Sequence, residues 1–149
     1  MATALQLREK LLRFKVKTEV KVAILKTQSY IIELNKSQLG HGQNKYGRKI
    51  KPTYAAKWYA EYKYSLNPVP GKWTPDLFLT GSFYDHIKFT LGEDDFRLFS
   101  TDKKNDELEA KYPVIFGMTP GNTETYAYTM FLPVLARQIE SQTGLKLEL

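Results

Sequence analysis

The chain contains no cysteine, so disulfides and thiolate metal sites are excluded. That absence fits a reducing compartment without establishing one. Its two histidines, His41 and His86, cannot build a histidine-rich metal centre, and no metal or cofactor is expected. Long apolar runs are missing as well: Val22-Ala23-Ile24-Leu25 falls far short of the roughly 20 residues that cross a bilayer. Residues 1–9 have no apolar core behind a basic start, so neither a secretory signal nor a membrane partner is expected. Gly40, Gly42 and Gly47 lack the spacing of a dinucleotide fingerprint, and no Gly-Lys-Ser/Thr follows to cradle a phosphate. Ser82, Asp85 and His86 are neighbours on one segment and cannot converge as a triad. Asp94 and Asp95, adjacent in a tight connection, point to opposite sides and read as a solvated turn rather than a cation site.

A length of 149 residues predicts one domain, able to bury about 70% of its unfolded surface without staples. Acids are scarce in the first half. Residues 1–75 carry 15 lysines and arginines against four acids, a net +11, whereas residues 76–149 carry seven against 12, a net −5. Such a division suits a nucleic-acid face on the basic half, or copies that meet basic surface to acidic surface.

Residues Leu5, Leu12, Val16, Val20, Ile24, Thr27, Ile31 and Leu34 draw one stripe, which predicts a long amphipathic helix over residues 1–35. The alternation of Leu12, Phe14, Val16, Val20 and Val22 offers a strand instead, but it fails at Thr18. Residues 36–52 hold Gly40, Gly42, Gly47 and Pro52 with no apolar period and predict an exposed basic loop. A short helix follows Pro52, with Tyr54, Trp58 and Tyr62 at four-residue spacing facing a core. Residues 66–76, rich in proline, predict a second exposed loop. Alternation across Phe83, Ile87, Phe89 and Leu91 and across Phe96, Leu98 and Ser100 predicts a β-hairpin over 83–100. Ser100-Thr101-Asp102 caps a helix running to about Tyr112. Thr119-Pro120 opens a C-terminal helix over 120–142, with a kink or break at Pro133. The expected class is α+β, with long N- and C-terminal helices packed on a small antiparallel sheet and extended loops.

One catalytic pattern is present. Pro75-Asp76 followed by Glu109-Ala110-Lys111 is similar to the Pro-Asp…Glu-x-Lys arrangement of metal-dependent nucleases. It needs Glu109 and Lys111 on one face of a strand, whereas the local sequence predicts a helix, on which they diverge.

Aromatics are more informative. Tyr46, Tyr54, Tyr59, Tyr62 and Tyr64 lie within nineteen residues, beside Trp58 and Trp73. Tyr59 and Tyr64, with Lys57 and Lys63, are expected to face outward. Together with Trp73 and the loop residues Lys45, Tyr46, Arg48, Lys49 and Lys51 they form the candidate contact set, suited to stacking and phosphate contact or to a protein interface.

The order of several segments resembles that of small tailed-bacteriophage structural proteins, the group of tail-completion, head–tail connector and virion-morphogenesis proteins. The matching pieces are residues 42–52, Gly-Gln-Asn-Lys-Tyr-Gly-Arg-Lys-Ile-Lys-Pro, then Lys63, then Asp76-Leu77-Phe78-Leu79-Thr80-Gly81-Ser82-Phe83. Ser100-Thr101-Asp102-Lys103-Lys104, Lys111-Tyr112, Ile115-Phe116-Gly117 and Phe131-Leu132-Pro133 follow. The chain departs from that group's pattern at Val114-Ile115-Phe116-Gly117-Met118 and at Thr129-Met130. The resemblance implies a non-enzymatic virion subunit, assembled head to tail in a ring around a DNA or tail channel and contacting portal, connector or tail subunits. A basic-aromatic nucleic-acid-binding module is the alternative reading.

Overall fold

The structure, a computed structural model, describes residues 3–148. It is a mixed α and β protein with one two-stranded antiparallel sheet among the described residues. The chain divides into two compact units, one built from the residues up to Tyr30 and from Glu124 onward, the other from Ile31–Thr123.

In the first unit, the expected single N-terminal helix is instead α1 (Ala4–Arg13) and α2 (Val16–Lys26), with α3 (Gln28–Gly40) following. The stripe was right in kind and wrong in continuity. Phe14 and Lys15 adopt extended backbone between α1 and α2. At the second break, the Thr27 hydroxyl lies 2.8 Å from the Ala23 carbonyl oxygen and bonds back to it. A β-branched hydroxyl residue that bonds back in this way competes with the helical ladder. The same hydroxyl meets the Tyr126 hydroxyl at 2.7 Å. α1 opens on a reciprocal cap in which the Thr3 side chain accepts from Gln6 N–H and the Gln6 side chain accepts from Thr3 N–H.

The C-terminal segment runs as α7 (Pro120–Tyr126), a π-helical turn over Ala127–Phe131, and α8 (Leu132–Thr143). Pro133 explains the widened turn. It has no N–H to donate to the carbonyl of Thr129, and its ring crowds that carbonyl, so the preceding turn opens and Leu132 N–H reaches Ala127 instead. Gly144, at φ +76°, ends α8 with its N–H on the Glu140 carbonyl. Gln138 ties α8 to α2 by donating to the backbone and side-chain oxygens of Glu19 at 2.9 and 2.8 Å.

The second unit holds the larger core: Ile31, Leu39, Ile50, Ala60, Phe83, Ile87, Leu98, Tyr112 and Ile115 are buried. Its elements are the end of α3, α4 (Lys57–Leu66), α5 (Ser82–Asp85), β1 (Ile87–Leu91), β2 (Phe96–Ser100) and α6 (Asn105–Lys111). Ile87 pairs with Ser100, Phe89 with Leu98 and Leu91 with Phe96, so one face carries the apolar set. The hairpin is shorter than expected because residues 82–85 coil into α5. Phe83 and Ile87 are four apart and both buried, a spacing that a helical turn satisfies as well as alternation does. Two buried amides on α3 clamp the segment after α6. Asn35 donates to the Ile115 and Gly117 carbonyls. Gln38 donates to Gly117 at 2.7 Å and accepts from Thr119 N–H and the Asn122 amide.

Candidate interaction surface

Both loops expected to be wholly exposed are anchored at their bases. Residues 36–40 belong to α3, and the first loop begins at His41. Its tip closes on itself. Asn44 N–H donates to Arg48 O, Gly47 N–H donates to Asn44 O, and the Asn44 side chain accepts from the N–H groups of Tyr46 and Arg48. Ile50 is buried and its N–H reaches Gly42 O, while Lys45 N–H reaches Val114 O. The tip therefore presents Tyr46, Arg48, Lys49 and Lys51 to solvent, with Lys45 half-buried over the Tyr46 ring. In the second loop, Pro70, Thr74, Pro75 and Asp76 are buried, while Leu66, Pro68, Val69 and Trp73 are exposed. Tyr54 N–H donates to Trp73 O across the two segments.

The orientation of α4 departs from the expectation in part. Tyr64 and Lys57 face solvent as expected, but Trp58, at 71% exposure, and Tyr62 do so too, while Tyr59 is half-buried, edge-to-face with Tyr54 at 5.1 Å and with Trp58 at 5.6 Å. The buried side of α4 is Ala60 and Lys63. Lys63 is therefore not a surface contact: its ammonium lies 2.8 Å from Asp76 Oδ1, with the two side chains 5% and 4% exposed, and donates also to the Phe78 carbonyl. Asp76 is the hub of this region. Its Oδ1 accepts from Phe78 N–H, its Oδ2 accepts from the Asn67 amide, and its carbonyl accepts from the Tyr84 hydroxyl. In the sequence Asp76 stood out as a nuclease carboxylate and as the start of the segment 76–83, not as an ion-pair partner. Its role here was hidden because its cationic partner sits on a different element.

Of the nuclease-like pattern, Asp76 pairs with Lys63, while Glu109 lies on α6, as the local sequence predicts, and accepts from the Asn105 amide. Among the described residues no three histidines, aspartates or glutamates come together as a metal site.

A groove of about 800 Å³ runs beside α6. Leu77, Phe78, Leu79, Phe83 and Leu108 supply its apolar lining, and Lys103, Lys104 and Lys111 stand exposed at its edge. Leu77 is held at φ +58°, a conformation unfavourable for a branched side chain and maintained by the Asp76 bonds on either side of it. Tyr54 and Tyr84 both titrate above the usual phenol value of 10.0. Burial is the larger cause in each, followed by the negative charge of Asp76. Both phenols are neutral in the fold, so above about pH 10 the unfolded chain releases protons that the folded chain retains, and stability falls as pH rises. Tyrosinate absorbance is expected to show these two rings resisting ionisation until the chain unfolds, with Tyr54→Phe/Tyr84→Phe moving that unfolding to higher pH.

Of the ten candidate contact residues, Tyr46, Arg48, Lys49, Lys51, Lys57, Tyr64 and Trp73 are exposed, Lys45 and Tyr59 are half-buried, and Lys63 is interior. No helix among the described residues is long and apolar enough to cross a membrane. No protein-family model, curated protein or solved structure matches the chain.

Proposed function

We propose that this chain is a non-enzymatic structural subunit that works by assembling with copies of itself. The observation that carries this reading is the bare apolar side of the first unit. Leu5, Leu12 and Val16 are 62%, 70% and 62% exposed, α1 buries no residue, and among the described residues of that unit only Ala23 and Tyr126 are buried apolar side chains. Helices of 10 and 11 residues are marginal alone and draw their stability from a covered apolar face. A second copy supplies that cover. The exposed rings of α4, Trp58, Tyr62 and Tyr64, add the residue types that concentrate interface energy. The surface charges beside them contribute about 0.2 to 1 kcal/mol per pair and mainly set register.

The setting is drawn from the resemblance of segment order: a tailed-phage virion, with the subunit in a ring at the neck or tail terminus, assembled in the host cytoplasm beside portal, connector or tail proteins. The opposed charges of the two chain halves suit a head-to-tail contact, in which each copy offers a different surface to each neighbour.

Light scattering on the purified chain is expected to give a concentration-dependent mass at a multiple of 17.2 kDa, with rings in electron micrographs. Leu12→Lys is expected to return the mass to that of one chain without unfolding it. A 17.2 kDa species at every concentration would overturn the reading. If that species also bound duplex DNA with log affinity falling about 0.9 per contacted phosphate per decade of salt, the nucleic-acid module would replace it.

A further inference from the structure

We infer that the groove beside α6 binds a small amphipathic monoanion, an acyl chain ending in a carboxylate, with the chain against its apolar wall and the carboxylate at its lysine edge. All of its lining falls between Pro52 and Tyr112, within the second unit of one chain, so the site does not depend on assembly. Its volume of about 800 Å³ lies within the roughly 300 to 1,000 Å³ of small-ligand sites.

The apolar wall is held in place while bare. Residues 77–81 belong to no helix or strand, yet both backbone polar groups of Phe78 bond to the buried ion pair: its N–H donates to Asp76 Oδ1 at 3.0 Å, and its carbonyl accepts from the Lys63 ammonium. The Phe78 ring meets Tyr84 edge-to-face at 5.1 Å and lies against Gly81, where a Cβ would stand 3.3 Å from two ring carbons. These ties keep Leu77 at φ +58° and leave Phe78 and Leu79 45% and 53% exposed, although both are large and apolar. A strained branched residue and two apolar side chains standing in water both lower stability, and they meet on one wall. An acyl chain laid over Phe78 and Leu79 removes that apolar area from water, and a wall already fixed loses little freedom in receiving it.

The edge sets the charge of the ligand. Lys103, Lys104 and Lys111 are exposed there and make no ion pair with a described residue, and the Lys111 ammonium stands 5.4 Å from the centroid of the Tyr112 ring. Two acids line the groove with them. Asp102 already accepts from the Ser82 hydroxyl and from Lys104 N–H, and Glu107 is exposed on α6. Lys63, the remaining lysine of the lining, is neutralised by Asp76. Three lysines against two acids leave one positive charge in excess, which a single carboxylate cancels. A polyanion such as duplex DNA would bring many charges against an excess of one and would meet both acids as well. A neutral or cationic head leaves the excess unanswered.

Calorimetric titration with decanoate, kept below micelle-forming concentrations, tests this. The parent chain is expected to bind one equivalent, about 10-fold or more tightly than it binds decanol or decyltrimethylammonium, which carry the same chain length under a neutral and a cationic head. That comparison needs no substitution. Lys103→Glu/Lys104→Glu/Lys111→Glu is expected to weaken decanoate about 100-fold while leaving decanol within about twofold. Leu79→Asp is expected to weaken decanoate and decanol alike, by about 10-fold. All four side chains are exposed, so circular dichroism is expected to match the parent chain. Leu12→Lys, on α1 in the other unit, is expected to bind decanoate as the parent does, which separates this outcome from that of assembly. The absence of saturable decanoate binding would overturn the site. Equal affinity for the three heads, or decanoate binding indifferent to the lysine reversal or to Leu79→Asp, would overturn it too. A parent chain that ignores decanoate but binds duplex DNA through these lysines would give the edge to phosphate instead.

Discussion

Lys63→Ala is expected to destabilise the chain by about 3 to 5 kcal/mol, because it leaves a buried carboxylate without its cation. Asp76 would keep the Phe78 N–H and the Asn67 amide, but two neutral donors do not replace an ammonium at 2.8 Å in a site this dry. The loss is large against the 5 to 15 kcal/mol that separates folded from unfolded in an ordinary protein. At about 2 to 4 °C per kcal/mol for a chain of this size, the melting temperature drops by roughly 6 to 20 °C. The lost bond to the Phe78 carbonyl also frees the segment that lines the groove, so its amides should exchange faster. Lys63→Met with Asp76→Asn removes both charges while keeping an acceptor for Phe78 N–H, and is expected to be milder than Lys63→Ala alone. Denaturant titration separates the possibilities. A cost below about 1 kcal/mol for Lys63→Ala would mean that the lysine behaves as a surface cation, the role its sequence context suggested.

Gly42→Ala is expected to cost about 2 to 4 kcal/mol, from two sources that add. The residue sits at φ +69°, where a side chain costs about 1 to 2 kcal/mol. Its new Cβ would also fall 2.6 Å from Thr74 Cγ2 and 2.7 Å from Pro70 Cβ, closer than packed carbons come, so the bases of the two loops would be pushed apart. Gly42 also accepts from Ile50 N–H, and Ile50 is one of the fully buried side chains of this unit. Faster exchange at the Ile50 amide should therefore accompany the loss in denaturant stability. Gly47 is the control. It shares a positive φ of +76°, but nothing lies nearer its Cβ than 3.8 Å, so Gly47→Ala should show only the smaller backbone cost. Equal costs at the two glycines would show that the loop bases are not packed as described.

Much of the secondary structure was legible where a period has a single interpretation. Phe89 and Leu91 against Phe96 and Leu98 alternate in a way no helix reproduces, and they pair as expected. Thr119-Pro120 opens a helix where a cap followed by a first-turn proline should, and Gly144 ends one where a left-handed residue is needed. Legibility failed where one spacing serves two structures. Phe83 and Ile87 suit a strand or a helical turn, and the stripe from Leu5 to Leu34 has the same count whether the helix is whole or broken at Phe14 and Thr27. The face of α4 was misassigned for a related reason: Trp58 and Tyr62 are the more apolar choice for an interior, yet the interior takes Ala60 and Lys63.

Composition and local order alone determined the unequal charge of the two halves, the lack of thiols, the dense aromatic stretch from Tyr46 to Trp73, and the kinds of element in the chain. These follow from covalent chemistry and short-range sterics, which act over a few residues. Only the tertiary structure decided that Lys63 turns inward, that Gly42 touches Pro70 and Thr74, and that a lysine-edged groove lies beside α6. Each depends on residues 13 or more positions apart meeting in space, and a desolvated charge or a close backbone approach has no meaning until the partner that compensates it has arrived.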